Sequence, residues 1–141
     1  LDFPEIRDVK SHLFAQGKKL TPGEEQVEDF ASVSMESATG TLINLECSWH
    51  VSAGKDAVIA ARFYGTQGGA AFTNINGSFY DFKAEKFQGT KTKTLVTPPD
   101  DWSGRAGTLW AESLLAGAGY NALTAQEFIQ TATIIDRIYE K

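Results

Sequence analysis

Few side chains in this sequence are equipped for chemistry, and their spacing decides which of them can act together. His12 and His50 are far apart, and Cys47 is the only cysteine. So scattered a set does not make a metal-ligand pattern, and no metal is expected. There is no Gly-x-Ser-x-Gly, and no serine stands in a triad with His and Asp. Asp100 and Asp101 are adjacent and point in different directions, which suits loop and helix-start residues better than an acid/base pair. The run Gly65-Thr-Gln-Gly-Gly69 has the glycine density of a phosphate loop. It lacks the Gly-x-Gly-x-x-Gly spacing and leads into a strand, so no helix N-terminus is offered to an anion. A hairpin turn is the expected reading, and no catalytic or cofactor-binding residue is assigned.

Two places rise above this background as walls of a small-molecule pocket. Trp49 and His50 end a strand, where pockets often form. Trp102 and Arg105 lie in a polar loop before a helix, where a guanidinium can hold a hydroxyl, carboxylate or phosphate. The ordinary alternatives are Trp49 in the core, Trp102 as a loop anchor and Arg105 as a solvated side chain. His12, among alternating charged and apolar residues, suits a surface or half-buried structural role.

The elements that must position these residues follow from periodicity. Alternation predicts strands over residues 5–15, 29–37, 41–50 and 57–64, with a charged surface loop over 16–28. In the strand 41–50, Ile43, Leu45, Cys47 and Trp49 share the face expected to be core, so Cys47 is expected to be buried and inert. Leu42, Asn44, Glu46, Ser48 and His50 share the other, mixed face, which is expected to be open or an interface. Asn76-Gly77 predicts a type I′ turn joining strands 71–75 and 78–83. A further hairpin, 85–87 with 91–96, turns at Gln88-Gly89 and stops at Pro98-Pro99. Ser103 or an aspartate before it is expected to cap a helix carrying Ala106, Leu109, Trp110 and Leu114, ended by Gly117 and Gly119. Thr124-Ala-Gln-Glu127 has the capping-box form, with Leu123 and Phe128 as its staple. The apolar stripe of that last helix is expected to be Phe128, Ala132, Ile135 and Ile138/Tyr139. Strands first and helices last predict an α+β fold: a mainly antiparallel open β-sheet with two C-terminal helices packed on one face.

Length and composition bound the rest. The 141 residues suit a single domain over 1–141 with a real core, and are too few for two ordinary ones. A net charge of −5, with only the small basic clusters Lys18-Lys19 and Lys91/Lys93, argues against nucleic acid. No apolar run approaches the roughly 20 residues that cross a bilayer, and no signal peptide opens the chain. With one cysteine and therefore no internal disulfide, a reducing, cytoplasmic setting is expected. The chain opens at Leu1, with Met35 its only methionine, and is expected to be part of something longer.

In order, Glu28-Asp-Phe-Ala-Ser-Val33, Thr41-Leu-Ile-Asn-Leu-Glu-Cys-Ser-Trp49, Phe63-Tyr-Gly-Thr-Gln-Gly-Gly69 and the stretch from Leu123-Thr through Ile134-Ile-Asp-Arg-Ile-Tyr-Glu140 resemble the C-terminal domain of the glucose–fructose oxidoreductase / inositol dehydrogenase / rhizopine-catabolism (Gfo/Idh/MocA) oxidoreductases. Each motif alone is weak, and their order over almost the whole chain carries the resemblance. It implies the substrate-side and oligomerisation domain of an NAD(P)-dependent dehydrogenase acting mostly on sugars and cyclitols. NAD or NADP is then expected on an N-terminal Rossmann domain. That domain's glycine-rich loop, Glu-Lys-Pro lysine and Asp- and His-bearing helix have no counterpart here, so the chain is expected to be inactive alone. The family's use of its open sheet implies a homo-oligomer, dimer or tetramer, with Leu42, Asn44, Glu46 and Ser48 as interface residues. The rival reading is a non-catalytic sheet-mediated binding or self-association module, separated from the first by whether a Rossmann fingerprint lies upstream. A small hydrolase or lyase built on His50 or His12 has little behind it.

Overall fold

A computed structural model describes residues 3–100, 102–119 and 122–139, excepting the side chains of Ala122 and Leu123. Among the described residues eight strands precede two helices, and every strand pairing is antiparallel, which is the α+β class expected. The strands form two four-stranded sheets, and the chain folds as two compact units. One unit comprises Leu1–Val51 with Gly119–Lys141; the other is Ser52–Ala118.

The first unit holds β1 (Ile6–Ala15), β2 (Lys18–Lys19), β3 (Phe30–Ser37) and β4 (Leu42–Ser48), in the order β2-β1-β3-β4. β2 falls inside the expected loop: Gln16 and Gly17 both take positive φ, and the chain reverses after Ala15 to pair Lys18 with it. At the β3–β4 turn Gly40 has φ 82°, and the Ser37 hydroxyl, 1% exposed, accepts the Thr41 N–H at 3.0 Å. Alternation sorts the faces as expected. Val33 is buried, with Val9, Leu13, Met35 and Ile43 partly covered on the same side.

α2 (Ala122–Ile138) lies on that apolar side, against β1. Its C-terminal end is held by side-chain bonds to backbone. β1 has a register irregularity between Ile6 and Asp8, and Arg137 donates to the carbonyls of Ile6 and Arg7 at 2.6 and 2.7 Å. A bulge releases backbone groups from the ladder, and the planar guanidinium fork recovers two acceptors together. Ser11 donates to the Ile138 carbonyl at 2.6 Å, and Tyr139 donates to the Glu28 carboxylate. The face that seats the helix runs through Gln130, Ile134, Arg137 and Ile138. The expected stripe is therefore displaced: Phe128 and Ile135 are 72% and 48% exposed. The helix also starts at Ala122, so Thr124 is inside its first turn and does not begin it. The proposed staple residue Leu123 lies outside the described side chains.

β4 is an edge strand, and there the covered face gives out. Leu45 is 43% and Trp49 78% exposed, and Cys47 is exposed. The expectation of a core face through Cys47 and Trp49 is corrected accordingly. Alternation identifies the face correctly, but α2 covers β1 and leaves the edge strand bare.

The second unit is a meander: β5 (Ala60–Gly65), β6 (Gly68–Asn74), β7 (Phe82–Gln88) and β8 (Lys91–Val96) pair in sequence order. Asn76 and Gly77 have φ 52° and 82°, as a type I′ turn requires, inside a connection that runs from 75 to 81. Asn74 braces it, accepting the Ile59 N–H through Oδ1 and donating through Nδ2 to the carbonyls of Ala57 and Ser78. α1 (Arg105–Leu115) follows, starting at Gly104 with φ 72° and no side-chain cap, so the expected Ser103 cap is not made; Asp101 lies outside the described residues. It ends as expected at Gly117 (φ 86°), where Ala118 N–H reaches the Ser113 carbonyl and Gly117 N–H that of Leu114. None of its side chains is buried.

The described core is thin: Ala15, Val33 and Ala71 are the buried hydrophobic residues. The chain exposes 11,297 Å².

Glycine at 68 and 69 is required by close approach. A Cβ on Gly68 would stand 2.7 Å from the Phe87 carbonyl oxygen, and one on Gly69 would stand 2.8 Å from that of Phe63. Gly107, inside α1, has nothing within 4 Å. Gly68→Ala is expected to destabilise by about 1–3 kcal/mol, whereas Gly107→Ala is expected to stabilise by up to about 1 kcal/mol. Urea unfolding of both variants checks the opposite signs.

Candidate functional site

In the first unit, cross-strand register places Phe14, Phe30 and Ser48 side by side on the open face of the sheet. The Phe14 and Phe30 rings meet edge to face, with centroids 6.0 Å apart. With Gly17, Asp29, His50 and Val51 they line a shallow hollow of about 330 Å³. Its floor is aromatic, and its rim carries a carboxylate, a hydroxyl and an imidazole.

The rim is organised by Glu28 and Asp29. Asp29 donates its N–H to the Phe14 carbonyl at 2.9 Å and accepts the Gln16 N–H on its carboxylate at 2.6 Å. Its carbonyl accepts the Ser48 hydroxyl at 2.7 Å, and the Ser48 oxygen in turn accepts the His50 backbone N–H at 3.2 Å. One residue earlier, the Glu28 carbonyl accepts the Trp49 indole N–H at 3.0 Å, and its carboxylate accepts the Tyr139 hydroxyl. Polar contacts therefore run without a break from the end of α2 to the edge of the hollow. Ser48 gives its proton to a carbonyl, and its oxygen meets the backbone of His50, so the geometry forms no nucleophile–base pair. The arrangement suits holding and orienting a small molecule.

Sequence reasoning identifies His50 as a pocket residue, and the structure puts it in this lining. It leaves out Phe14, Phe30, Glu28, Asp29 and Tyr139 as parts of the same cluster. The Phe14–Phe30–Ser48 row was open to discovery through strand pairing. The Tyr139–Glu28 contact, spanning 111 positions, has no local signature.

Trp102 and Arg105 belong to the second unit. Trp102 donates its indole N–H to the Tyr80 carbonyl at 2.9 Å and meets Phe82 edge to face. Phe82 stacks on Phe72 with centroids 4.8 Å apart. Arg105 grips Asp100 at 2.5 and 3.4 Å, and this guanidinium holds the Asp100 carboxyl below its ordinary pKa. These contacts anchor the loop onto the meander. In the same unit Asp56, Asn76, Phe79, Tyr80 and Asp81 help to line a second open hollow, of about 490 Å³. Leu42, Asn44 and Glu46 lie exposed on the open face of the first sheet, with Ser48 half-covered at its end. No three His, Cys, Asp or Glu residues converge as a metal site among the described residues. Nor is any described helix long and apolar enough to cross a membrane.

A dinucleotide does not fit the glycine run. Gly65 and Gly68 are paired across a two-residue hairpin, and β6 follows directly. The clash at Gly68 and Gly69 shows those glycines serving sheet packing, with no helix N-terminus beyond them to receive a phosphate.

Tyr139 has its pKa raised, first by its hydrogen bond to Glu28, then by desolvation and by the charge of Glu28. A phenol whose folded pKa exceeds its unfolded value contributes stability that is present below about pH 10 and lost as pH rises through the raised value. The wild type is therefore expected to lose more stability between about pH 9 and 11 than Tyr139→Phe. Urea midpoints at the two pH values test this; equal losses would remove the contact from the stability of the first unit.

Residues 6–71, spanning β1 to β5 and the start of β6, match the family model described as the GFO/IDH/MocA C-terminal domain. Among curated proteins and solved structures, nothing matches the chain. GFO/IDH/MocA proteins are oxidoreductases.

Proposed function

We propose that this chain is the substrate-side part of an NAD(P)-dependent dehydrogenase acting on a sugar, cyclitol or related polyol. The family match over residues 6–71 carries the reading. In it, the nicotinamide nucleotide is held by a Rossmann domain apart from these 141 residues, and this chain contributes pocket walls. The hollow beside His50 has the composition such a role needs: Phe14 and Phe30 offer apolar surface to a ring, and Asp29 and His50 offer hydrogen-bonding groups at its edge. Trp49 is a further wall candidate within the first unit, and Trp102 and Arg105 are candidates within the second.

The same reading makes the open face of the first sheet a self-association surface, through Leu42, Asn44, Glu46 and Ser48. Leu42 supports it, being 70% exposed on a strand face with no covering element. A solvated antiparallel face ordinarily alternates to polar residues at such positions.

Titrating the chain with NADH while following nicotinamide fluorescence tests the division of labour. No saturable binding and no NAD(P)-dependent oxidation of polyols is expected from these residues alone. Micromolar NADH binding would place the nucleotide site within this chain and overturn the proposal.

A further inference from the structure

We propose that the hollow of the second unit, between the β6–β7 connection and the residues leading into β5, binds a small organic amine as its ammonium cation. This hollow shares no residue with the one beside His50, and the proposal does not depend on the dehydrogenase reading.

The lining chooses the ligand. Phe79 and Tyr80, 56% and 75% exposed, bring two aromatic side chains to a space of about 490 Å³. Rings of this kind attract a cation to their faces and offer apolar surface to its carbon frame. Asp56 and Asp81 set the sign of the charge, and no lysine or arginine stands among the described lining residues. Among the described residues the Asp56 carboxylate has no hydrogen-bond or ion-pair partner. Asp81 is engaged on one oxygen: the Ser78 hydroxyl donates to Oδ2 at 2.9 Å, which leaves Oδ1 for a further donor. An ammonium group supplies three such donors and the compensating charge. A hard metal ion fits less well. Calcium takes six to eight oxygen ligands, and no three acidic, His or Cys side chains converge among the described residues.

The groups are also held in place before a ligand arrives. The Ser78 oxygen accepts the N–H groups of Tyr80 and Asp81 at 3.1 and 3.0 Å, and the Asp81 carbonyl accepts the Ile75 N–H at 2.9 Å. From outside the connection, the Trp102 indole holds the Tyr80 carbonyl. Gly77 is buried against the segment that carries Asp56, where a Cβ would stand 3.2 Å from the Asp56 nitrogen. The backbones bearing both carboxylates and both rings are thereby fixed to one another, and little ordering is left for binding to cost.

Titration of the full ¹⁵N-labelled chain with 2-phenylethylamine, followed by amide NMR near neutral pH where the amine is charged, tests the site. Saturable shifts are expected at the backbone amides of Asp56 and residues 76–81. The alcohol 2-phenylethanol keeps the ring and lacks the charge, and is expected to bind about ten-fold more weakly or less. Asp56→Asn removes a carboxylate that no described group uses, and is expected to weaken the amine by about ten-fold while the meander's other amides stay in place. Tyr80→Leu is expected to weaken it by about two- to five-fold. Equal binding of amine and alcohol overturns the proposal, as does the absence of saturable shifts at these amides or an Asp56→Asn affinity equal to wild type. Calcium chloride moving the same amides where the amine does not would make the hollow a metal site and overturn it too.

Discussion

The first unit depends on how the end of α2 is fastened to strands more than a hundred residues earlier in the chain. Three side chains do it: Arg137 on the carbonyls of Ile6 and Arg7, Ser11 on the carbonyl of Ile138, and Tyr139 on Glu28. Few hydrophobic residues are buried, so these polar contacts carry unusual weight. Bonds made by a charged donor are stronger than neutral ones, and a bidentate fork also fixes orientation. The bulge at the start of β1 makes the fork usable, because it frees carbonyls that a regular ladder would occupy.

The same fastening reaches the hollow. Glu28 takes Tyr139 on its side chain and Trp49 on its carbonyl, and Asp29 takes Gln16 and Ser48. The ends of α2 and β4 and the β1–β2 turn are thus referred to one pair of adjacent residues at the entrance to β3. A pocket wall needs this kind of support, since a rim residue left to its own rotamers holds a ligand poorly.

Much of the local structure was legible in the sequence. The alternation in β1, β3 and β4, the Asn76-Gly77 turn, the Gly117 helix stop and the existence of both helices follow from short-range rules that the final packing does not disturb. What escaped was decided at long range. Cys47 and Trp49 lie on the apolar face, yet are exposed because α2 stops short of the edge strand. The stripe on α2 was read through Phe128 and Ile135, the larger side chains, while the bulge and its carbonyls select the face bearing Ile134, Arg137 and Ile138. Thr124 carries the chemistry of a cap, but the helix begins two residues earlier. As for the hollow, His50 was visible as a strand-end residue, and its aromatic floor emerges only when β1, β3 and β4 are aligned.

The first unit is discontinuous: it leaves off at Val51, resumes at Gly119, and encloses the whole of the second unit in between. During synthesis the meander can complete every strand pairing as it emerges, because each strand bonds to the one before it. The first sheet must wait, with its apolar face bare, until α2 leaves the ribosome. Contacts of such long sequence separation form slowly, and exposed strand edges are prone to wrong partners meanwhile. The two-residue β2 and the lysines at 18 and 19 then serve a second purpose, since short charged edges resist pairing with other chains. β4, the other edge, has no such protection, and is where misassembly would begin.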